Sequence, residues 1–442
     1  MTKLTLVALN EFSVEFLSFA EANAKFPNIQ KLLSSKYSET WTEDAVERHD
    51  LDPWVQWVSI HTGIDSSCHG IRHLGDVPNL AIKQLWETMS LHGYSSGIWG
   101  AMNASRGEAD RCQFFLPDPW TFSESAYPKS LNGLLALPRY YAKNYLDTRV
   151  SKLLKAIGSL IIYLLGEPRL IFKLLSVMPL SFKGVFQFGL KNHVLFSIFD
   201  LFSTVAFLHY KKQRDPDFCM IFINSMAHVQ HNIWSEGGEL KADCVYTLEV
   251  IENILQRING ETLGEEVVIM NALTQTNIAG VEREVLYRQI NPDKFLTAMN
   301  IRHSKVEQLM TNDGHIFFDS LDDARAAKQV LEEATIGSKL MFDVEYSEST
   351  PKKLFFQFDI WDEIEPGALF YLGGKSHLFY HHFEAVVART GKHSQRGDVY
   401  CNLMNLPKKL VNHEIHKHIL KYFNIKLANK DQDAPIGTNC VN

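Results

Sequence analysis

Short apolar runs that end in polar or small residues recur along this chain. Leu4–Leu9 runs into Asn10-Glu11, and Ser96–Met102 into Asn103-Ala104-Ser105-Arg106-Gly107. Phe218–Ile223 runs into Asn224-Ser225, and Val267–Met270 into Asn271-Ala272-Leu273-Thr274-Gln275. Runs that are apolar at every position, rather than at alternate ones, predict strands buried on both faces. Between them the spacing turns helical, over Ile82–Leu91 and Lys241–Ile258. This alternation predicts an α/β fold: a doubly wound, mostly parallel sheet flanked by helices. In such sheets ligands gather beyond the carboxyl ends of the strands, so the polar tips are the first places to look for chemistry.

From about Leu131 to Arg214 the pattern becomes helical and rich in Leu, Ile and Phe. It predicts a helical cap inserted into the α/β body. The expected organisation is therefore 1–130 as the first part of the α/β domain, 131–214 as the insertion, 215–425 as the second part, and 426–442 as a loose polar tail. Within the second part, Asp319–Glu333 reads as a helix, and Leu354–Ile360 and Ala368–Leu372 read as strands. Residues 143–212 hold ten Lys/Arg and three acids, a local balance of 10 − 3 = +7. Such a segment is either a cap with a solvated basic face or a surface that meets anionic lipid or a lipid-linked substrate, giving peripheral membrane contact through 143–212. Its longest unbroken apolar stretch, Leu160–Leu165, is far short of the ~20 residues of a membrane span.

Composition narrows the classes. The chain has 442 residues, 45% of them hydrophobic and 21% charged, which excludes disordered and low-complexity proteins. Its net charge of 44 − 51 = −7 gives no whole-protein field for nucleic acid. The six cysteines form no CxxC pair, and the first apolar run is too short for a signal peptide, so a reduced, cytoplasmic setting is expected, on the inner face of the membrane if the basic segment meets lipid. Eighteen histidines against six cysteines point toward metal or proton chemistry.

Three constellations stand out, together with a start signature near the first strand. Pro53-Trp-Val-Gln-Trp-Val-Ser-Ile-His-Thr-Gly63 is followed by His69-Gly70-Ile71. Asn224-Ser-Met-Ala-His-Val-Gln-His-Asn-Ile-Trp234 follows a strand directly. Thr390-Gly-Lys-His-Ser-Gln-Arg-Gly397 comes late in the chain, and Phe26-Pro-Asn-Ile-Gln-Lys-Leu-Leu33 comes early. In order and spacing these resemble the alkaline phosphatase superfamily, in particular its type I phosphodiesterase/nucleotide pyrophosphatase branch. The resemblance runs from about Leu4 to Gly397. It implies a two-metal hydrolase whose ligands sit at strand ends. The chain departs from that pattern at most of those positions. Asn10 stands where the first metal-binding Asp is expected, with Glu11 beside it in place of Gly. Pro53 stands at the nucleophile. Ala227 and the Ala272-Leu273 pair stand at further ligand positions. His231 and His393 retain imidazoles.

Asn10, Glu11, Asp52, Gln56, His61, Asn103, Ser105, Arg106, Asn224, His228, His231, Asn271, Gln275, His377 and His393 are expected to converge on one cleft. Glu11, Asp52, Ser59, His61, Thr62, Asn103 and Arg106 are the candidates for catalysis. Carboxylates beside imidazoles suit acid–base work, Ser59, Thr62 or an activated water is the attacking group, and Arg106 offers a fork for phosphate. Asn10, Gln56, Asn224, His228, Asn271 and Gln275 are the candidates for binding substrate. His231, His393 and Glu11 would hold a divalent cation (Zn, Mn or Mg) if one is bound. Plainer roles remain open. His231 reads equally as a structural imidazole, His61 as a helix cap, and Asp118 as a turn residue, with Trp120 near it a wall of the cleft. The leading reading is a hydrolase or transferase acting on a phosphoester or phosphodiester, on a small phosphorylated or a lipid- or sugar-linked substrate. The alternative is a non-catalytic binding protein on the same fold, serving surface-polysaccharide or envelope assembly.

Overall fold

The structure, a computed structural model, describes residues 2–21, 24–42, 51–144, 150–236, 240–281, 283–347 and 350–426. The tail expected over 426–442 lies outside them after its first residue, as do Asp147 and Arg149 of the basic segment. The chain forms two compact units. The first comprises Met1–Leu135, Ser159–Asn277 and Gly391–Asn442, and the second Ala136–Gly158 and Ile278–Thr390.

The first unit holds eight strands in one sheet: β1 (Leu4–Leu9), β2 (Tyr37–Trp41), β3 (Ser96–Ala101), β4 (Cys112–Pro117), β5 (Phe218–Ile223), β6 (Glu266–Met270), β9 (Arg396–Tyr400) and β10 (Lys409–Val411). A two-stranded antiparallel ribbon joins β7 (Thr274–Asn277) to β8 (Gly391–Ser394). The sheet order is β10-β2-β9-β6-β1-β5-β3-β4. Every pairing is parallel except those of β9 with its two neighbours. All six positions of β1 and of β5 are buried, as the unbroken apolar runs predict. Fully burying each Leu or Ile of such a strand contributes roughly 1.5–3 kcal/mol. β1 sits centrally, with β5 on one side and β6 on the other, so the chain's crossovers diverge at its carboxyl end, where an α/β sheet opens a crevice.

Residues 131–214 are helical through their described length, but they do not stand as a separate body. Helices α1 (Asn132–Lys143), α2 (Val150–Gly166), α3 (Pro168–Leu175), α4 (Met178–Phe188) and α5 (Asn192–Arg214) follow one another. Tyr163, Leu170, Val177, Leu201 and Val205 join one core with Ile221 and Ile223 of β5 and Ile251 and Ile254 of α7 (Ala242–Glu261). Residues 159–214 therefore belong to the first unit, and 136–158 to the second. α5 is long and apolar enough to cross a membrane, yet 72% of that stretch is buried inside the protein. Counting unbroken apolar runs misses it, because polar residues such as Asp200 and Thr204 interrupt it.

The second unit is antiparallel. One sheet runs Phe342–Ser347, Thr350–Phe358, Asp313–Phe317, Lys305–Gln308, and another Lys339–Leu340, Thr335–Ile336, Leu369–Leu372, Lys375–Leu378. Phe383–Ala388 pairs with Val285–Gln289. Phenylalanines fill its core, with the Phe379 and Phe383 rings stacked at 4.7 Å. His377 lies in this unit, its ring stacked on Phe370.

Candidate metal centre at the carboxyl end of β1

β1 stops where Asn10 and Glu11 leave the ladder. Glu11 has φ 54°, a left-handed conformation that costs a non-glycine residue roughly 1–2 kcal/mol. Gln230 holds this turn: its Nε2 donates to the Glu11 carbonyl at 2.7 Å and its Oε1 accepts from the Ser13 N–H at 2.8 Å. The Glu11 carboxylate is thereby buried among polar side chains. Oε1 accepts from Asn10 Nδ2 at 2.8 Å. Oε2 lies 2.9 Å from His231 Nε2, 3.1 Å from His393 Nε2 and 2.5 Å from Gln275 Nε2. Burial alone would raise the Glu11 carboxyl, but the charge of His393 and the hydrogen bonds from His231 and His393 outweigh it and hold the group well below the usual carboxylate range.

His231 comes from α6 (Ser225–Ile233), which starts as soon as β5 ends. Asp200 of α5 fixes that start, accepting from the N–H of Asn224 at 2.8 Å and of Ser225 at 2.6 Å. Burial pushes the Asp200 carboxyl up to about 7. One helical turn before His231, His228 stacks on Phe196 with ring centroids 3.5 Å apart, and burial pushes its imidazole down to about 3. His393 lies on β8 opposite Gln275 on β7. That ribbon packs closely: a Cβ on Gly391 would sit 2.1 Å from Gln275 Oε1 and 2.7 Å from the Gln230 carbonyl oxygen.

The histidines are oriented from behind. The Gly391 carbonyl accepts from His231 Nδ1 at 2.9 Å, which places the proton of a neutral ring on Nδ1 and the lone pair on Nε2, facing Glu11. Asp52 Oδ1 lies 3.8 Å from His393 Nδ1. One carboxylate and two imidazoles thus converge, with ligand atoms all within 4.8 Å of one another, and no other such group occurs among the described residues. Separations near 3 Å suit donors sharing a cation at ~2.0–2.2 Å. Gln275 Oε1, buried beside this group, has no hydrogen-bond partner among the described residues.

Of the expected site residues, Asn10, Glu11, Asp52, Asn224, Gln275, His231 and His393 come together here. Asn224 Oδ1 accepts from Asn10 Nδ2 at 2.8 Å, and Asn224 Nδ2 lies 3.3 Å from His228 Nε2. The others are committed to packing or internal hydrogen bonds. Ser59 Oγ lies 3.0 Å from His69 Nε2, but His69 Nδ1 accepts from the Ile71 N–H, so the neutral ring carries its proton on Nε2 and donates to Ser59 instead of activating it. Thr62 Oγ1 donates back to the Val58 carbonyl at 2.7 Å. His61 packs between the Trp57 and Trp86 rings, and burial pushes it down to about 3. It caps nothing: neither ring nitrogen has a hydrogen-bond partner among the described residues. Gln56 accepts from Asn412, and Asn271 bridges the Phe12 carbonyl and the Asp398 N–H. Asn103, with φ 49°, bonds the backbones of Trp54, His73 and Gly75. The Ser105 carbonyl accepts from Trp86 Nε1. Arg106 lies over the Tyr127 ring at 4.8 Å. Asp118 accepts from Trp120 and Thr121, as a turn residue does.

Four supporting residues escape a reading of the sequence. Trp57 donates to Asn10 Oδ1 at 2.8 Å, and Gln230, Gly391 and Asp200 act as described. Gln230 and Gly391 lie inside motifs already singled out. Asp200 carries no local signal, being one acid in an apolar helix.

No protein-family model matches the chain, and no curated protein matches it. Among solved structures it is similar to phosphonoacetate hydrolase from Sinorhizobium meliloti in complex with phosphonoformate, at 12% identity and TM-score 0.46, over 95% of this chain and 96% of that one. It is also similar to human ectonucleotide pyrophosphatase/phosphodiesterase 5, at 9% identity and TM-score 0.46, over 97% and 96%. A TAB5 alkaline phosphatase variant with Mg bound is similar at 12% identity and TM-score 0.39, over 96% and 98%.

Proposed function

We propose that this chain is a divergent hydrolase of the alkaline phosphatase type, acting on a phosphoester or phosphodiester with one divalent cation. The observation that carries this reading is the convergence of Glu11, His231 and His393 at the end of β1. A donor set of two imidazoles and a carboxylate, without thiolate, suits Zn or Mn, and Mg less well. Such a cation, when bound, polarises a phosphoryl oxygen and lowers the pKa of water. A single centre fits a chain that has Ala227 and Ala272 at other positions where the resemblance expects ligands.

The protein's own groups divide the remaining work. Asn10 and Gln275 hold the Glu11 carboxylate by its two oxygens. The Gly391 carbonyl and Asp52 stand behind the imidazoles and orient them. Ser59 and Thr62 are engaged elsewhere, so water is the attacking group. We extend the proposal to a lipid- or sugar-linked substrate, which the exposed apolar helices α3 and α4 support.

The test is elemental analysis of the purified protein, followed by assay with aryl phosphate monoesters and diesters after loading with Zn, Mn or Mg. Bound metal and turnover, both lost in His231→Ala and His393→Ala, are expected. Bound metal without turnover of any such ester would turn the reading to a non-catalytic binding protein.

A further inference from the structure

We propose that α3, α4 and the end of α2 form a docking face for an anionic lipid bilayer. This inference is independent of the hydrolase reading. Scattered exposed apolar side chains are ordinary, but several strongly exposed ones on consecutive helices are not. Ile162 is 73% exposed, Leu165 72%, Phe172 74%, Phe186 86% and Leu190 72%. In α4, Phe182 and Phe186 are four residues apart and share one side, their ring centroids 6.1 Å apart. The other side is fixed to the protein: Ser181 and Gly184 are buried, and a Cβ on Gly184 would sit 2.3 Å from the Tyr246 ring. In α3, Leu170 is buried while Phe172 and Leu175 are exposed.

α3 and α4 together are apolar enough for a membrane span, but they bend by 53° at their junction. With their inner sides locked into the core, they are built to lie in the interfacial plane of a bilayer, with the outer side chains entering the acyl boundary.

Charge selects the occupant. Residues 159–191 carry Arg169, Lys173, Lys183 and Lys191 against Glu167 alone, a balance of 4 − 1 = +3, so the rest of the chain sums to −7 − 3 = −10. Glu167 turns toward His209 and Tyr210, at 3.4 Å from each. Lys183 pairs with Glu249 and Lys191 with Asp243, whereas Arg169 and Lys173 form no ion pair among the described residues. An acidic body is repelled by an anionic surface unless this basic, apolar side faces it. In a symmetric dimer this +3 face would meet itself, whereas an anionic bilayer meets it with the opposite charge. α5 packs on both α3 and α4, which anchors this face to the first unit.

The experiment is co-sedimentation of the full chain with vesicles of phosphatidylcholine, alone or mixed with phosphatidylglycerol. The wild type is expected to pellet with the mixed vesicles and to lose part of that binding at high salt. Phe172→Ser with Phe186→Ser should lower the partition coefficient roughly tenfold per residue. Arg169→Glu with Lys173→Glu should abolish the preference for phosphatidylglycerol. Both pairs of residues are on the surface, and matching circular dichroism and melting curves would show that the variants fold. The proposal is overturned if the wild type stays in the supernatant with both vesicles, or if the serine variant pellets as the wild type does. It is also overturned if the wild type is a dimer by light scattering that the serine variant converts to monomer.

Discussion

Binding of Zn or Mn should stabilise the first unit against unfolding, and Glu11→Gln should remove that stabilisation. The side chain keeps its shape, but the charge facing two imidazoles is lost. In metal-free protein, His231 donates Nδ1–H to the Gly391 carbonyl, so its Nε2 must also hold a proton to bond Glu11. The pair is then an imidazolium and a buried carboxylate. Removing one partner of such a pair costs about 3–5 kcal/mol. With metal, all three donors would be satisfied at once. At free metal ~100 times the dissociation constant, the added stability is about 2.7 kcal/mol. Urea midpoints of the first transition should therefore rank wild type with metal, wild type without it, then Glu11→Gln, the last unchanged by metal. The pH dependence has a definite sign. The Glu11 carboxyl is held well below its ordinary value, so its contribution is full above ~4.3, the ordinary carboxylate pKa, and is lost as pH falls through the lowered folded value. Glu11→Gln should lose stability less steeply than wild type over that acid range, because Asp65 and Glu414 are also held below their ordinary values. Equal midpoints for wild type and Glu11→Gln, both indifferent to Zn and Mn, would refute the reasoning.

Other substitutions test other parts of the site. Ser59→Ala should leave turnover within about twofold and cost about 1–2 kcal/mol, since it removes the acceptor for His69 Nε2 and a long bond to the Val55 carbonyl; loss of turnover to background would show that Ser59 is the nucleophile. Gly391→Ala should weaken metal uptake measured by titration calorimetry, because the new methyl forces β8, and with it His393, away from Gln275; unchanged affinity would count against the packing argument. Asp200 is raised to about 7, so between its unfolded value of ~3.9 and about 7 the folded state holds the extra proton and stability falls as pH rises. Asp200→Asn should flatten that decline in urea midpoints, and an unaltered slope would exclude Asp200 as its source.

The sheet was legible where one residue type dominates. Leu4–Leu9 and Phe218–Ile223 are strands at the expected residues, because a strand buried on both faces is apolar at every position. β2, β4, β9 and β10 were not seen. Tyr37-Ser-Glu-Thr-Trp41 mixes polar and apolar residues near an edge, where burial imposes no unbroken run. The helix expected at Asp319–Glu333 and the strands at Leu354–Ile360 and Ala368–Leu372 exist, but they lie in the second unit, because contact between distant segments leaves no mark on local periodicity. Glu11, His231 and His393 could be named from residue type and position. What could not be read was φ at Glu11, which puts the carboxylate at the residue where the resemblance has glycine. Nor could the tautomer of His69 be read, since it depends on the Ile71 N–H.

The donors at positions 11, 231 and 393 are separated by up to 382 residues. Closing loops of that length is slow relative to forming helices and hairpins, so the three side chains meet only when the sheet is nearly complete. A cation offered at the start of refolding therefore finds no template, and its effect falls on the rate of unfolding and not on the rate of folding. Metal retention then reports that the chain has finished its fold, and a metal-loaded molecule is one that resists transient opening for longer than its empty counterpart.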